Sequence, residues 1–383
     1  MKHVTATILL LAGILLLTGC SAESGDAQEP RQAAVGTLAA ADTGTDAILY
    51  SATDALGRSV TLSGRPERIV IAGKATLLAA DILALFDGVT ENLAALGVTD
   101  QGLGDFFPLL LSGDGTVRLP KSASAEEIAA LQPDIVFMKE SNYPTLGSQL
   151  EKLEIPVFNL YLENPESYQE EVLTLGELLH QEERAATVAA FYRDRTEEIS
   201  TAAAALDPGS RRRVLLLYAT TTDGVSSFQV PPASWIQSYM VETAGGIPVW
   251  TDETFNTWKL VSFEQISAWD PEVIYIVTYR DSAEGYLEQI AASDLWQELP
   301  AFVSGNIRAF PADFHSWAQP DSRWILGMRW IAHDLYPELF ADTAVEDELA
   351  LFYGTLYGVN DDNLMDDILR RYRGSLHTVA DFQ

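Results

Sequence analysis

Two stretches of this sequence repeat each other without a gap, and together they decide its fold. The first is Ser124-Ala-Glu-Glu-Ile-Ala-Ala-Leu-Gln-Pro-Asp-Ile-Val-Phe-Met138, and the second is Ser262-Phe-Glu-Gln-Ile-Ser-Ala-Trp-Asp-Pro-Glu-Val-Ile-Tyr-Ile276. Each copy begins with a serine that is followed three residues later by Glu127 or Gln265, which is the capping-box pattern of a helix start. Each helix stops at a proline, and the apolar run beyond it predicts a buried strand. The chain therefore contains two α/β units of similar construction.

Around each copy, short β-rich runs alternate with helical stretches. A hairpin is predicted at residues 47–62, and the pattern is typical of parallel βαβ units. Strands are predicted at residues 68–72, 134–138, 157–160, 214–218 and 273–278, and helices at 75–85 and 145–153.

A helical block without strand-like runs separates the two units. It breaks near His180, and its second part would span roughly 37 Å at 1.5 Å per residue. We therefore predict an α/β fold with two lobes of similar construction joined by a long helix, and a ligand cleft between the lobes. The predicted segments are an N-terminal lobe at 47–164, connecting helices at 165–207, a C-terminal lobe at 208–340, and helices packing on the lobes at 341–383.

The N-terminus has the parts of a secretory signal, with Lys2 ahead of an apolar stretch at residues 4–17. That stretch is shorter than the ~20 residues of a membrane-spanning helix. Leu-Thr-Gly-Cys at 17–20 resembles the bacterial lipobox, in which the cysteine is lipidated. We predict a signal peptide at 1–19, lipidation of Cys20, and a flexible tether at 20–46. An ordinary signal peptide with a chance cysteine is the alternative.

Charge and cysteine content exclude several kinds of partner and site. The chain has 24 Lys and Arg against 55 Asp and Glu, a formal net charge of −31. Such a surface repels phosphate backbones, so nucleic acid is excluded as a partner. Cys20 is the only cysteine, which excludes an intramolecular disulfide and a cysteine-based metal site.

Several segments, taken in order, resemble the substrate-binding proteins of ABC importers, in the class that handles iron–siderophore complexes, haem and vitamin B12. The likeness covers roughly residues 47–375. It implies two Rossmann-like lobes joined by a long rigid helix, in a monomer that closes slightly on its ligand and delivers it to a permease of the cytoplasmic membrane. The lipid predicted on Cys20 would keep the protein attached to the membrane. The matching segments are residues 53–62, Arg65-Pro-Glu-Arg-Ile-Val70, both repeat copies, residues 228–237, Ala244-Gly-Gly-Ile-Pro248 and Leu326-Gly-Met-Arg-Trp-Ile-Ala332.

The resemblance also implies a role for one glutamate in each repeat copy. In the vitamin B12-binding relative, one exposed glutamate per lobe docks on arginines of the permease, and the matching residues here are Glu126 and Glu264. The alternative is that both are first-turn acids favoured by the helix macrodipole.

Ligands of such lobes meet the loops at the C-terminal ends of the strands. Basic residues there favour an anionic ligand, and aromatic residues supply flat apolar walls. The alternative for each lysine is an ordinary solvated side chain, and the alternative for each tryptophan is a place in the core. The predicted ligand-binding residues are Lys74, Lys121, Lys139 and Tyr143 in the first lobe, and Phe228, Trp235, Trp258, Tyr279, Arg280, His315 and Trp317 in the second.

Neither a bound metal ion nor catalysis is predicted. Of the histidines, only His315 is well placed, and the set of His and carboxylate ligands used by zinc- and manganese-binding relatives is missing. No cofactor is predicted. The phosphate-loop pattern fails because Ala75 follows Lys74, and no nucleophile elbow or zinc-protease helix is present. A hydrolase built on His315 has no supporting spacing.

The sequence thus predicts an exported, lipid-anchored binding protein and not an enzyme. A ferric siderophore-type chelate is the leading ligand, with molybdate or tungstate, vitamin B12 and haem as alternatives. Besides a binding protein and an enzyme, the third class of function is a surface lipoprotein with an adhesive or structural role. Neither the ligand nor the membrane leaflet is fixed by the sequence, because ligand loops are the most variable part of such folds.

Overall fold

The computed structural model describes residues 50–99, 106–110, 115–251 and 254–383. The predicted signal peptide, the tether and Cys20 lie outside these residues. Within them, no helix is both long enough and apolar enough to cross a membrane.

The N-terminal lobe opens with the predicted hairpin, β1 (Tyr50–Thr53) paired antiparallel with β2 (Ser59–Leu62). A five-stranded parallel sheet follows, in the spatial order β5-β4-β3-β6-β7. Every residue of β3 and β6 is buried, as in parallel sheets covered on both faces. The strands are β3 (Ile69–Ile71), β4 (Leu93–Gly97), β5 (Val117–Leu119), β6 (Ile135–Lys139) and β7 (Val157–Leu160), and the helices are α1 (Thr76–Leu83), α2 (Phe107–Leu110), α3 (Ala125–Ala129) and α4 (Ser148–Lys152).

Strands β4 and β5 were not predicted. The sequence of β4, Leu-Ala-Ala-Leu-Gly, is rich in residues that are depleted in strands, and the pairing of β4 with β3 decides its conformation.

Two helices connect the lobes, α5 (Pro165–Leu179) and α6 (Glu182–Ala204). The predicted break lies at His180, which adopts a left-handed conformation (φ 53°) at the end of α5. Helix α6 packs on the second lobe, where Tyr192 stacks on Trp324 with ring centroids 5.1 Å apart.

The C-terminal lobe contains a mixed sheet in the spatial order β11-β9-β8-β12-β13, with β10 beside β8. Strand β8 continues beyond the predicted strand into a hairpin with β9, through Asp223 and Gly224, which both have positive φ. Asp-Gly is a favoured hairpin turn, so the signal for this hairpin was present in the sequence. The strands are β8 (Arg213–Thr222), β9 (Val225–Val230), β10 (Ile247–Pro248), β11 (Lys259–Val261), β12 (Val273–Val277) and β13 (Ile307–Ala309).

Eight helices of the described residues surround this sheet or follow it. The last two, α13 and α14, pack back on the lobe, since Tyr372 of α14 stacks on Trp317. The helices are α7 (Ile236–Thr243), α8 (Phe263–Trp269), α9 (Glu284–Ala291), α10 (Asp294–Gln297), α11 (Pro300–Val303), α12 (Trp324–Leu335), α13 (Val345–Leu356) and α14 (Asp362–Ser375).

Candidate functional site

Two loops of the N-terminal lobe meet at the C-terminal ends of β3 and β6. Asn142 joins them: its Oδ1 accepts a hydrogen bond from the Lys74 backbone N–H (2.8 Å), and its Nδ2 donates to the carbonyl oxygens of Lys74 (3.1 Å) and Lys139 (3.2 Å). Gly73 (φ +94°) is required here, because a Cβ would lie 2.7 Å from Asn142 Cγ. Sequence analysis did not identify Asn142. The Lys74 side chain is exposed at this edge.

Lys139 is buried rather than presented to solvent. Only 4% of it is exposed, and its Nζ lies 2.7 Å from Glu163 Oε1 and contacts the Tyr161 carbonyl oxygen. The positive charge predicted for ligand attraction is therefore already paired. Ile236 N–H of the other lobe donates to the Glu163 carbonyl oxygen (3.0 Å), so this pair lies where the lobes touch.

The other predicted residues of this lobe lie apart from that contact. Tyr143 donates a hydrogen bond to Glu151 (2.7 Å), and its ring lies 4.2 Å from the Arg58 guanidinium carbon. These contacts tie Tyr143 to the N-terminal hairpin and α4. Lys121 is exposed after β5.

An aromatic cluster stands at the corresponding edge of the C-terminal lobe. It contains three predicted residues, Trp235, Trp258 and Tyr279, together with Tyr218, which sequence analysis missed. Ring centroids are 4.9 Å apart for Tyr218 and Trp258, 4.7 Å for Tyr218 and Tyr279, and 5.6 Å for Trp235 and Trp258. Tyr279 is buried and the other three are half-buried, so the cluster offers an apolar wall. Arg280 is exposed beside it.

Phe228 and Trp317 were predicted to be part of the aromatic ligand-binding wall, but the structure places them elsewhere. Gln229 of β9 pairs with Tyr218 of β8, so these two side chains lie on the same face of the sheet. Its neighbour Phe228 points to the opposite face, away from the aromatic cluster, and packs on Trp296 (5.2 Å between ring centroids). Residues next to each other on a strand point to opposite faces. Trp317 is fully buried, lies 4.9 Å from the Tyr372 ring and donates to Asp313 (3.1 Å). Trp317 is therefore a core residue, and the half-buried Phe228 packs against the core.

A buried polar cluster is formed by Gln237, His315, Gln319 and Asp321, and the His315 ring lies 6.3 Å from the Phe107 ring of the first lobe. Each residue of the cluster is at most 1% exposed. Five of its side-chain atoms have no hydrogen-bond partner among the described residues: Gln237 Oε1, His315 Nδ1, both amide atoms of Gln319, and Asp321 Oδ2. Buried polar atoms are nearly always satisfied, so this set requires water or a ligand. Of its members, only His315 was predicted.

Gln237 belongs to α7, and the other three residues of the polar cluster belong to the loop before α12. His315 Nδ1 lies 3.7 Å from Asp321 Oδ2. Gln237 Nε2 donates to the Ala318 carbonyl oxygen (2.8 Å), which the Tyr279 hydroxyl also contacts (3.3 Å). The polar and aromatic clusters therefore adjoin at Tyr279 and Ala318.

Burial disfavours the charged form of both titratable groups of the polar cluster. Desolvation, with a contribution from the Arg323 charge, lowers the pKa of His315 well below its usual value. Desolvation and the nearby Asp81 carboxylate raise the pKa of Asp321 well above its usual range. The cluster thus offers hydrogen-bonding groups in a desolvated site.

An ion network behind the polar cluster clamps the lobes together. Arg323, just before α12, donates through Nη1 to Asp81 of α1 (2.8 and 2.9 Å) and through Nε to Asp313 (2.9 Å). Tyr353 of α13 donates to Asp313 (2.7 Å). All these side chains are buried. We call Asp81, Asp313 and Arg323 the inter-lobe clamp.

Glu171 of α5 fixes the loop that carries Glu163. Its carboxylate accepts hydrogen bonds from the backbone N–H groups of Tyr161 and Leu162 (2.8 Å for the latter). Burial raises the pKa of Glu171 to about 7, although these N–H groups and Lys139 favour the charged form.

We expect the stability advantage of the wild-type protein over Glu171→Gln to shrink as the pH rises. A carboxyl group whose pKa is raised in the folded protein stabilises the fold while it is protonated. This contribution to the free energy of unfolding is complete below the unfolded-state pKa near 4.5, and it is lost as the pH rises through the folded-state pKa of about 7. The advantage should fall by at most about 3 kcal/mol, at 1.36 kcal/mol per pKa unit. Urea unfolding between pH 4.5 and 8 measures it, with Glu170→Gln, an exposed acid of the same helix, as control. An advantage that is constant across this range contradicts the prediction.

The two predicted docking residues occupy equivalent places. Glu126 is the second residue of α3 and Glu264 the second residue of α8, and both are exposed. Ser124 accepts from the Glu127 N–H and Ser262 from the Gln265 N–H, so the predicted N-caps are confirmed.

Two α/β lobes, a helical connection and buried polar groups where the lobes meet define a solute-binding protein of an ABC transporter. The family comparison agrees: the model described as periplasmic binding protein matches residues 82–314, and the chain belongs to this family. The family consists of solute-binding components of transporters. Among the described residues, no group of three or more His, Cys, Asp or Glu could hold a metal ion.

Two characterised relatives match most of the chain. The molybdate-binding protein MolA of Haemophilus influenzae is 24% identical over 331 residues, 80% of this chain and 91% of MolA. The Fe(3+)-citrate-binding protein YfmC of Bacillus subtilis is 21% identical over 326 residues, 83% of this chain and 91% of YfmC.

Solved structures show the same fold. A periplasmic solute-binding protein from Veillonella parvula has a TM-score of 0.66 at 21% identity, covering 85% of this chain and 98% of its own. The molybdate-bound structure of Haemophilus influenzae MolA has a TM-score of 0.66 at 20% identity, covering 82% and 99%.

Proposed function

We propose that this chain is a monomeric lipoprotein, anchored through Cys20, that captures an anionic metal–oxygen ligand between its lobes and delivers it to an ABC permease. A ferric chelate of the siderophore type is the leading ligand. The single observation that carries the proposal is the buried polar cluster, whose five unpartnered atoms lie beside the aromatic cluster and at the contact of the two lobes.

Both lobes contribute to the proposed site. The N-terminal lobe supplies the exposed Lys74 at the loop fixed by Asn142. The C-terminal lobe supplies the polar and aromatic clusters. An exposed ammonium attracts an anion, and buried hydrogen-bonding groups then hold its oxygen atoms.

The aromatic cluster favours a chelate with an organic part over a bare oxyanion. Trp235, Trp258 and Tyr218 present flat faces that a tetrahedral anion would leave largely unused. The name of YfmC, an Fe(3+)-citrate-binding protein, supports the same class.

Molybdate or tungstate is the second candidate. The buried polar groups of His315 and Gln319 suit a small oxyanion, and the MolA relative is named for molybdate binding. No specific observation favours vitamin B12 or haem.

Trp258→Ala separates these ligands, and Gln319→Leu tests the location of the site. Trp258→Ala should weaken ferric citrate or a ferric catecholate about fivefold, since an aromatic contact contributes about 1 kcal/mol, and leave molybdate nearly unchanged. Gln319→Leu should weaken whichever ligand binds by about tenfold or more, because it removes a buried hydrogen-bonding group. Titration calorimetry and thermal shift against ferric citrate, a ferric catecholate, molybdate and tungstate measure these effects.

Tyr50→Ala is the matched control, since it removes a half-buried aromatic residue of the N-terminal hairpin that contacts His180 instead. Retention of full affinity by Gln319→Leu for a ligand that binds the wild-type protein would place the site elsewhere. Failure of all four ligands to bind would exclude the ligand class.

A further inference from the structure

In each lobe, an arginine outside the repeated sequence makes equivalent hydrogen bonds to the end of the repeat helix. Arg68, just before β3, donates through Nε to the carbonyl oxygens of Leu131 (3.0 Å) and Gln132 (3.2 Å), and through Nη2 to Leu131 (2.6 Å). These carbonyls lie just beyond α3.

Arg213 makes the corresponding contacts in the second lobe. As the first residue of β8, it donates through Nε to the Asp270 carbonyl oxygen (3.1 Å) and through Nη2 to that of Trp269, at the end of α8. Trp269 and Asp270 align with Leu131 and Gln132 in the repeat. The same interaction thus occurs twice, although the arginines lie outside the repeated stretch.

A carboxylate holds the backbone of each arginine. Asp134 Oδ2 accepts from the Arg68 N–H (2.9 Å), and Glu272 Oε2 accepts from the Arg213 N–H (2.9 Å). Asp134 and Glu272 also align in the repeat.

The end of each repeat helix has the same backbone conformation. Gln132 (φ 52°) and Asp270 (φ 45°) both adopt the left-handed region, which turns the chain out of the helix. An arginine on the last carbonyls also complements the negative end of the helix dipole. Each lobe therefore contains the same arrangement of one arginine, one carboxylate and the helix terminus, which we call the lock.

We infer that Arg68 and Arg213 are positioning residues for permease docking, holding α3 and α8 so that Glu126 and Glu264 are presented in one fixed orientation per lobe. The inference rests on the proposed docking of these glutamates. Helices of five and seven residues are too short to be stable alone, so contacts at both ends must hold them. The serine cap holds one end and the arginine holds the other.

The partner that fits this arrangement is a permease surface with two basic sites, one for each lobe. A fixed carboxylate loses less conformational freedom on binding than one on a fraying helix, so the locks favour association. They act on docking and not on ligand capture.

The test compares Arg68→Ala, Arg213→Ala and the double variant with Arg65→Ala and Arg211→Ala. The controls remove a positive charge three and two residues away and leave both locks intact. Stimulation of the permease ATPase in proteoliposomes, with ferric citrate as the probe ligand, reports docking. We expect each lock variant to raise the half-stimulating concentration about fivefold and the double variant about 25-fold, since distant sites act additively. The controls and the affinity for the probe should stay unchanged.

Hydrogen exchange in α3 and α8 checks the lock itself, and should accelerate only in the lobe that carries the variant. Arg68→Lys and Arg213→Lys keep one donor and should recover part of the docking, which also guards against a folding defect in the alanine variants.

Repeating the series in a Glu126→Gln, Glu264→Gln background separates positioning from other roles. If the arginines act through the glutamates, their removal should then cost nothing further. Equal losses in both backgrounds, or equal losses in the controls, overturn the inference. If the glutamine background alone loses no stimulation, the docking proposal fails and the inference fails with it. Failure of the lock variants alone leaves docking by the glutamates standing.

Discussion

Replacing Arg323 with alanine is expected to lower the free energy of unfolding by about 3–5 kcal/mol, the range for breaking a buried ion pair from one side. Arg323 has no exposed surface, and its guanidinium pairs with two carboxylates, Asp81 and Asp313, that are buried as well. The substitution leaves both carboxylates in a low-dielectric interior without their cation. Because Asp81 and Arg323 belong to different lobes, the loss falls on the contact that joins them.

Urea unfolding of the wild-type and variant proteins measures this effect. Arg193→Ala is the control: Arg193 and Asp194 form an ion pair in which both side chains are about 60% exposed, and its loss should cost less than about 0.5 kcal/mol. Adding Asp81→Asn to Arg323→Ala should recover part of the stability, since one unpaired carboxylate is then removed. A loss below about 1 kcal/mol for Arg323→Ala would mean that the inter-lobe clamp contributes little.

The double charge reversal Glu126→Arg, Glu264→Arg is expected to abolish uptake while ligand affinity stays within about twofold. Each substitution replaces an attraction by a like-charge contact, which costs several kcal/mol at an interface, so uptake should fall at least about 100-fold. Ligand affinity should persist because both residues are exposed and neither belongs to the polar or the aromatic cluster.

Uptake of radioactive iron supplied as ferric citrate, and calorimetry with the same probe, measure the two quantities. Glu154→Arg with Glu288→Arg changes the net charge equally at other exposed positions of the two lobes, and should transport normally. Loss of ligand affinity together with uptake would argue against a docking role for Glu126 and Glu264.

The candidate site could be predicted only in part. Trp235, Trp258 and Tyr279 were identified because they flank strand ends, and the structure brings them into one cluster. Tyr218 was missed because it lies inside a strand, where an aromatic residue is ordinarily core. Gln319 and Asp321 were missed because polar residues in a loop ordinarily face solvent, and only packing shows that they are buried.

Two positions of the sequence indicate buried ion pairs. Asp81 lies in an otherwise apolar helical stretch, and a lone carboxylate there requires a buried partner. Lys139 was predicted to bind an anionic ligand, but it follows four apolar strand residues, and Glu163 pairs with it inside the protein.

The sequence by itself determined the local structure that is repeated in both lobes: serine caps, short helices that stop at a proline, and apolar strands buried in parallel sheets. These follow from residue order over ten to fifteen positions, because capping, helix termination and burial of an apolar run are local effects. Only the tertiary structure decided which side chains share the site. Arg323 meets Asp81 across 242 residues of sequence, and the β8–β9 register turns Tyr218 toward the aromatic cluster and Phe228 away from it. The physical reason is that burial, pairing and strand register depend on contacts between distant segments, which no local pattern encodes.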